Sequence, residues 1–324
     1  MTRRLSLEEA TGLAARACRA AGLSNEAALS LARATVSANA HGKGSSGFSH
    51  LMDYLAASRA GRIVGDAEPV LTSPAPAAIH CDARGGIAQL GFDRAFDDLR
   101  RRAKTFGIAV FAGKGSYTTG ELGYYPRRLA EAGLVAFAAT SGPALMTVAG
   151  AKKPVYCTNP IAFAAPLDDS APLLIDQASS ATAFVQLRHY AEHGQALPEG
   201  WAVDADGEPT ADPQAALRGA LLAFGGARGA NIALMVEVMA AGLAGANWAI
   251  DAPSFTAGNR SPGAGLLVIA ITPTLLAPDF SNRLRVQLDR LAKLGVHIPG
   301  RRAAAAEIEL PDALVSEIER AAAP

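Results

Sequence analysis

The sequence predicts an α/β fold, with a helical N-terminal block followed by a mixed sheet. Within the first 63 residues, apolar positions recur at helical spacing in three successive segments. From residue 76 onward, short apolar runs alternate with amphipathic helical stretches. Residues 161–176, "IAFAAPLDDSAPLLID", then read as two strands around an Asp-Asp-Ser turn, an antiparallel hairpin that breaks the alternation.

In order, Ser6 with Glu9 forms a capping box before "LEEATGLAARACRAAG", where Leu13, Ala14, Cys18 and Ala21 share a face. Ser24 caps "NEAALSLARATVSANA", which runs helically nearly to Gly42. "FSHLMDYLAASRAGRI" follows, with Leu51, Tyr54, Leu55 and Ser58 at helical spacing and Gly61 where a helix stops. Next come strand "AAIHCD", a helix over 86–106, strand "GIAVFAG", a helix over 121–132 and strand "LVAFAAT". Beyond the hairpin, a Pro/Gly/Asp-rich loop, "PEGWAVDADGEPTADPQ", leads through "FGGARGAN" to the apolar helix "IALMVEVMAAGLAG". Strand "GLLVIAIT" and amphipathic helices over 279–294 and 311–322 complete the chain.

Thirty basic and thirty acidic residues cancel, and no Lys/Arg stripe forms, so nucleic acid is not expected as a partner. Apolar residues make up 50% and charged ones 19%, which favours a subunit that covers part of itself with another. No apolar run spans a bilayer and no signal-peptide pattern follows the N-terminal charges; a cytoplasmic protein without a membrane partner is expected. Cys18, Cys81 and Cys157 lack metal-ligand or disulfide spacing and read as buried small hydrophobes.

Three motifs invite chemistry and do not carry it. Gly42, Gly44 and Gly47 spell GxGxxG, but a helix leads into them where a dinucleotide loop needs a strand. Gly113 and Gly115 do follow a strand, yet the third glycine is misplaced and the next strand lacks a terminal acidic residue. His189 to His193, "HYAEH", has a zinc-peptidase order without a third ligand on a following helix, so no metal is expected. Asp176, at the end of "PLLID", is either a turn former or a crevice carboxylate. Arg228, in a glycine-rich turn at a helix start, either faces a phosphate or caps the loop. His50 follows Ser46 by one helical turn, so the two are expected on one face.

Taken together, "GSSGFSHLMDYLAASRAGRI", "GELGYYPRRLAEAGLVAFAATS", "TNPIAFAAP", "LLIDQASS", "LPEGWAVDADGEPTADP" and "GGARGANIALMVE" resemble the malate/L-lactate dehydrogenase family, which lacks a Rossmann fold. The resemblance runs from about residue 6 to Arg302. It implies a helical region over 1–75 packing with 263–324, and a mixed, largely antiparallel cofactor- and substrate-binding region over 76–262. It further implies hydride transfer between NADH or NADPH and C2 of a small 2-oxo, 2-hydroxy or cyclic 2-imino acid, in a homodimer with a shared active site. Cofactor contacts are then expected from Thr140, Ser141, Gln177, Ala178, Ser179, Arg228, Gly300 and Arg301, with Asp176 opening the same strand-end segment. Ser45, Thr118, Thr158 and Asn159 are expected at the substrate.

The departures from the family lie in the chemistry. Where it has Ser-His-Gly and an Arg four residues after the His, this chain keeps Ser45 but has Ser46 and His50; its second His is Thr118. Arg228 stands for the basic residue of the His-Lys-Gly motif, after Ala227. Oxidising an alcohol needs a base, commonly worth ~10²–10⁴-fold, whereas a cyclic imine can enter already protonated. The leading expectation is therefore reduction of a cyclic 2-imino acid of the Δ1-pyrroline- or Δ1-piperideine-2-carboxylate kind. In it, Ser46 accepts the iminium N–H, Asp176 balances its charge and a protonated His50 holds the carboxylate. The alternatives are a 2-oxo/2-hydroxy acid dehydrogenase with His50 as acid/base, and a non-catalytic nucleotide-binding relative.

Overall fold

The first strand is held by the far end of the chain. In the computed structural model, which describes residues 1–148, 150–168, 170–300 and 303–323, β1 (Thr2–Ser6) pairs antiparallel with the late strand Glu307–Pro311, Thr2 opposite Pro311 and Ser6 opposite Glu307. Ser6 ends β1 and caps α1 (Leu7–Ala20): its backbone N–H donates to Glu9 Oε2 (2.8 Å) and its Oγ accepts from the Glu9 N–H (3.2 Å). α2 (Asn25–Ala40) and α3 (Phe48–Arg59) complete the helical block.

The glycines of "HGKGSSG" serve this block. Gly42 takes a left-handed φ of 77° after α2, and a 3₁₀ turn over Gly44–Ser46 leads into α3. A Cβ on Gly47 would lie 1.8 Å from Asn39 Oδ1, the atom that accepts the Phe48 N–H at 2.8 Å and so caps α3. Because Gly47 leaves helical geometry (φ −99°, ψ −122°), Ser46 and His50 do not share one continuous helix face, contrary to the spacing.

The sheet begins with β2 (Val70–Ala75) and β3 (Ala78–Asp82). There follow α4 (Ala88–Phe106), β4 (Ile108–Ser116), α5 (Tyr124–Glu131), β5 (Val135–Thr140), the short β6 (Met146–Thr147), β7 (Ile161–Ala165) and β8 (Leu173–Gln177). Then come α6 (Phe184–Glu192), β9 (Ala202–Val203), α7 (Pro213–Arg218), β10 (Ala220–Leu222) and α8 (Ala227–Val236), which continues as a π-helix over Glu237–Leu243. β11 (Ala264–Ile271), α9 (Phe280–Lys293), β12 (Glu307–Pro311) and α10 (Asp312–Ala321) finish the order.

Among the described residues the large sheet has the order β2-β3-β4-β11-β5-β7-β8, and only its β3–β4 pair is parallel. The fold is thus mixed α/β with a mainly antiparallel sheet, and β7 and β8 pair antiparallel as expected of residues 161–176, Asp169 of the expected turn lying outside the described residues. The expected division at 263 needs correction: β11 is the middle strand of this sheet, and β2 joins its edge from within residues 1–75. Of the C-terminal part, β12 and α10 bury Ile308, Leu310, Val315 and Ile318 against the N-terminal helices. A second core sets Phe92, Leu99, Tyr125 and Leu129 of α4 and α5 on Phe111 and Val268 of the sheet. A smaller lobe, around Met146, Leu187 and Leu221, packs α6 and α7 by β6, β9 and β10. These short strands lie too close to loop composition to be read from the sequence.

Replacing Gly47 with alanine forces Asn39 off the start of α3. Gly47→Ala is expected to lower unfolding free energy by ~1–3 kcal/mol, read by urea denaturation; unchanged stability would show that the Asn39 contact does not constrain the turn.

Candidate active site

The antiparallel register brings the ends of β4, β5 and β8 and the approaches to β7 and β11 to one side of the sheet. The stretch from Lys43 to Asp53 and the start of α6 close over them, leaving a cleft of about 310 Å³. This is the size of a small-ligand site.

Ser45, Ser46, His50, Thr118, Thr140 and Ser141 all line that cleft, as do Thr158, Asp176, Gln177 and Ala178. Asn159 does not. Its amide is buried and donates to Ala233 O and to Glu237 Oε2, both at 2.8 Å, while Glu237 also accepts the Ala249 N–H. Ser179 is buried as well, donating to Asn159 O at 2.7 Å. These two brace the cleft from behind, a place that strand-end position alone could not reveal. Arg228 and Gly300 lie outside the cleft, and Arg301 lies outside the described residues.

Below the cleft, Arg127 Nη1 and Nη2 donate to Glu121 Oε1 (2.9 Å) and Oε2 (2.8 Å), both side chains being at most 3% exposed. Arg127 Nη2 also reaches Ser37 Oγ of α2 at 3.0 Å. Asp176 has no such cation among the described residues: its Oδ2 accepts the Gly123 N–H at 2.9 Å. Burial first, and the Glu121 charge second, push its carboxyl up to about 6, against the pull of that N–H, Lys43 and Arg127. Asp176 is therefore a crevice carboxylate.

Several lining residues went unread in the sequence. His50 Nδ1 donates to Asp53 Oδ2 (2.8 Å), and Arg188 Nη1 and Nη2 donate to Asp53 Oδ1 (3.1 Å) and Oδ2 (2.9 Å). Burial works to raise the Asp53 carboxyl, but the bonds and charges of His50 and Arg188 outweigh it and hold it well below the usual carboxylate range. The spacing of His50 and Asp53 on one helix was a signal; Arg188, 135 residues further on, gave none. His50, Tyr54 and Tyr117 stack edge to face, with centroids 4.9 and 5.4 Å apart, His50 and Tyr117 lining the cleft and Tyr54 buried behind them.

Two features suit a nicotinamide dinucleotide. Among the described residues Ser141 Oγ is buried in the cleft wall without a hydrogen-bond partner, a polar atom that a ligand can satisfy. Gly225 and Gly226, at φ 56° and 62°, have nothing within 4 Å of where a Cβ would stand. They open the N-terminus of α8 beside Arg228, which is exposed and forms no ion pair among the described residues. The segment after Asp176 joins the two places, since Phe224 donates to Ser179 O (3.0 Å) and Ala181 to Leu222 O (2.7 Å). His189, Glu192 and His193 sit exposed at the C-terminal end of α6, their ligand atoms within 4.8 Å of one another.

Residues 5–316 match the malate/L-lactate dehydrogenase family. The chain is 37% identical to a (2R)-3-sulfolactate dehydrogenase (NADP(+)) of Chromohalobacter salexigens, over 98% of each chain. It is 35% identical to a Δ1-pyrroline-2-carboxylate/Δ1-piperideine-2-carboxylate reductase of Pseudomonas aeruginosa, over 97% of this chain and 98% of that one. The solved structure of Δ1-piperideine-2-carboxylate reductase from Pseudomonas syringae superposes with a TM-score of 0.93 at 33% identity, covering 98% of this chain and 99% of that one. The chain belongs to the malate/L-lactate dehydrogenase family and is an NAD(P)-dependent oxidoreductase.

Proposed function

We propose that the protein reduces a cyclic 2-imino acid of the Δ1-pyrroline-2-carboxylate or Δ1-piperideine-2-carboxylate type. The observation that carries this reading is the cleft's polar inventory: Ser46 and Thr118 stand where the family has imidazoles, and the half-buried Asp176 carboxylate has no cation bonded to it among the described residues. Such a site suits a substrate that brings its own proton and positive charge. The relatives that reduce these imines support the substrate class.

When bound, NAD(P)H supplies the hydride that adds to C2 of the iminium and leaves a neutral amine. Thr140, Ser141, Gln177 and Ala178 hold the cofactor in the cleft, and Arg228 with the glycine-rich turn holds its phosphates; the family resemblance adds Gly300 and Arg301 to the cofactor contacts. Ser46 accepts the iminium N–H, and ionised Asp176 balances the charge that the transition state shares with it. Ser45 and Thr158 offer hydroxyls to the substrate. His50 borders the acid-binding side. The chain works as a homodimer: Leu243, Trp248 and Ile250, with Leu234 and Val238 of the preceding helix, form an exposed apolar series that a second copy can cover. Three free thiols suit a reducing, cytoplasmic setting.

A second reading draws on a specific contact. With Nδ1 donating to Asp53, a neutral His50 presents Nε2 as an acceptor, the arrangement of a general base, which suits a 2-hydroxy acid dehydrogenase. A substrate panel separates the two. Δ1-Pyrroline- and Δ1-piperideine-2-carboxylate should consume NADH or NADPH faster than pyruvate, oxaloacetate, glyoxylate or 3-sulfopyruvate. Faster turnover of the oxo acids would establish the second reading in its place.

The ionisation of Asp176 gives a pH test. Its folded value of about 6 exceeds the ordinary 3.8, so the folded state binds the proton more tightly. Wild-type stability is therefore greatest below pH ~4 for this group and declines by roughly 2 kcal/mol as pH rises through 6, a decline that Asp176→Asn should lack. In catalysis, kcat/KM for the imine should fall on the acid side, below pH ~6, as Asp176 loses its charge. Asp176→Asn should lose that limb and ~10²-fold of kcat/KM at pH 8; an unchanged profile would remove Asp176 from the mechanism.

A further inference from the structure

The cleft contains a cation that the family's pattern of residues does not announce. Arg188, on the second turn of α6, reaches across to α3, where both its terminal nitrogens grip Asp53. Its guanidinium also lies over the ring of Phe184, 5.9 Å from the centroid, so it is fixed from two sides. Asp53 is in turn oriented by His50. A guanidinium has five N–H donors in a plane, of which this fork uses two. The side chain is 33% exposed and lines the cleft, so the remaining donors are within reach of a ligand there.

We infer that Arg188 is the residue that anchors the substrate's carboxylate, with Asp53 and His50 as its positioning residues. The inference rests on the reading of the protein as an imino acid reductase and narrows it. A protonated cyclic imino acid is a zwitterion, and the cleft offers it both counter-charges: ionised Asp176 for the iminium and the pinned Arg188 fork for the carboxylate. Lys43, also at the cleft, is exposed in a loop and has no ion pair among the described residues, so it lacks the fixed, planar geometry of two-point carboxylate recognition. Recognition has thereby moved from α3, where His50 has the shorter reach and no fork, to α6. The anion is selected by a residue of the small lobe, and the iminium by a residue of the sheet.

The test compares Δ1-pyrroline-2-carboxylate with 1-pyrroline, which lacks the acid group, in wild type and Arg188→Met. The wild type should prefer the acid, and the variant should lose ~10–100-fold of that preference, mainly as a rise in KM with a smaller change in kcat. An unchanged preference and KM would overturn the inference, and a loss confined to kcat would also overturn it. If the wild type reduces neither imine, the imine reading fails by itself, and the anchor is then judged by calorimetric binding of pyrrole-2-carboxylate to the wild type and the variant. Binding ~10-fold weaker in the variant supports the anchor, and equal binding, or none to either, overturns it. Should Arg188→Met fail to fold by circular dichroism, Arg188→Lys takes its place. It keeps the charge but loses the fork, and must still weaken the acid's KM or the probe's binding by several-fold.

Discussion

Arg127 and Glu121 bury their charges against one another beneath the cleft, and the arrangement above them depends on that pair. A buried charge that loses its partner costs about 3–5 kcal/mol, so neither residue can change alone without large effect. The pair also joins three parts of the molecule. Glu121 belongs to the turn after β4 that floors the cleft, Arg127 to α5, and the bond from Arg127 to Ser37 ties both to α2. The helical block and the sheet are thereby held at a fixed separation, and the cleft is the gap between them.

The same pair acts on the chemistry. Because Arg127 spends two of its donors on Glu121 and one on Ser37, it offers Asp176 only its field, and Glu121 repels from the same side. Among the described residues Asp176 thus stays a carboxylate without a bonded cation, with an elevated proton affinity, in a chain that has Ser46 and Thr118 where the family has imidazoles. At the other cation of the cleft, Asp53 does the reverse, accepting from His50 and Arg188 together and remaining fully ionised. Two carboxylates in one cleft are set apart by their surroundings, one free to answer a positive substrate and one consumed in holding a positive side chain.

Much of this was legible in the sequence where the signal was local. The Ser6–Glu9 capping box, the helices on either side of Gly42–Gly47 and the antiparallel pairing of β7 with β8 depend on residues close in the chain, and each forms as read. The rejection of GxGxxG as a phosphate loop likewise followed from what precedes it, and the contact of Gly47 with Asn39 supplies the reason for the glycine. What escaped was set by distant pairing. β1 and β12 define one another across the length of the chain, β11 enters the middle of the sheet late, and Arg188 meets Asp53 only when the small lobe closes on the helical block. Asn159 and Ser179, expected at the substrate and the cofactor, instead spend their side chains on bonds behind the cleft, to Glu237 and to the Asn159 carbonyl, which no local signal announces.

The account stands on Asp176 being a half-buried carboxylate whose proton affinity is raised by its setting. A ¹³C NMR titration of the Asp176 side-chain carboxyl in the wild-type protein measures this directly, with assignment from the Asp176→Asn spectrum. A midpoint near pH 6 is expected; a midpoint in the ordinary aspartate range, near 4, would contradict it.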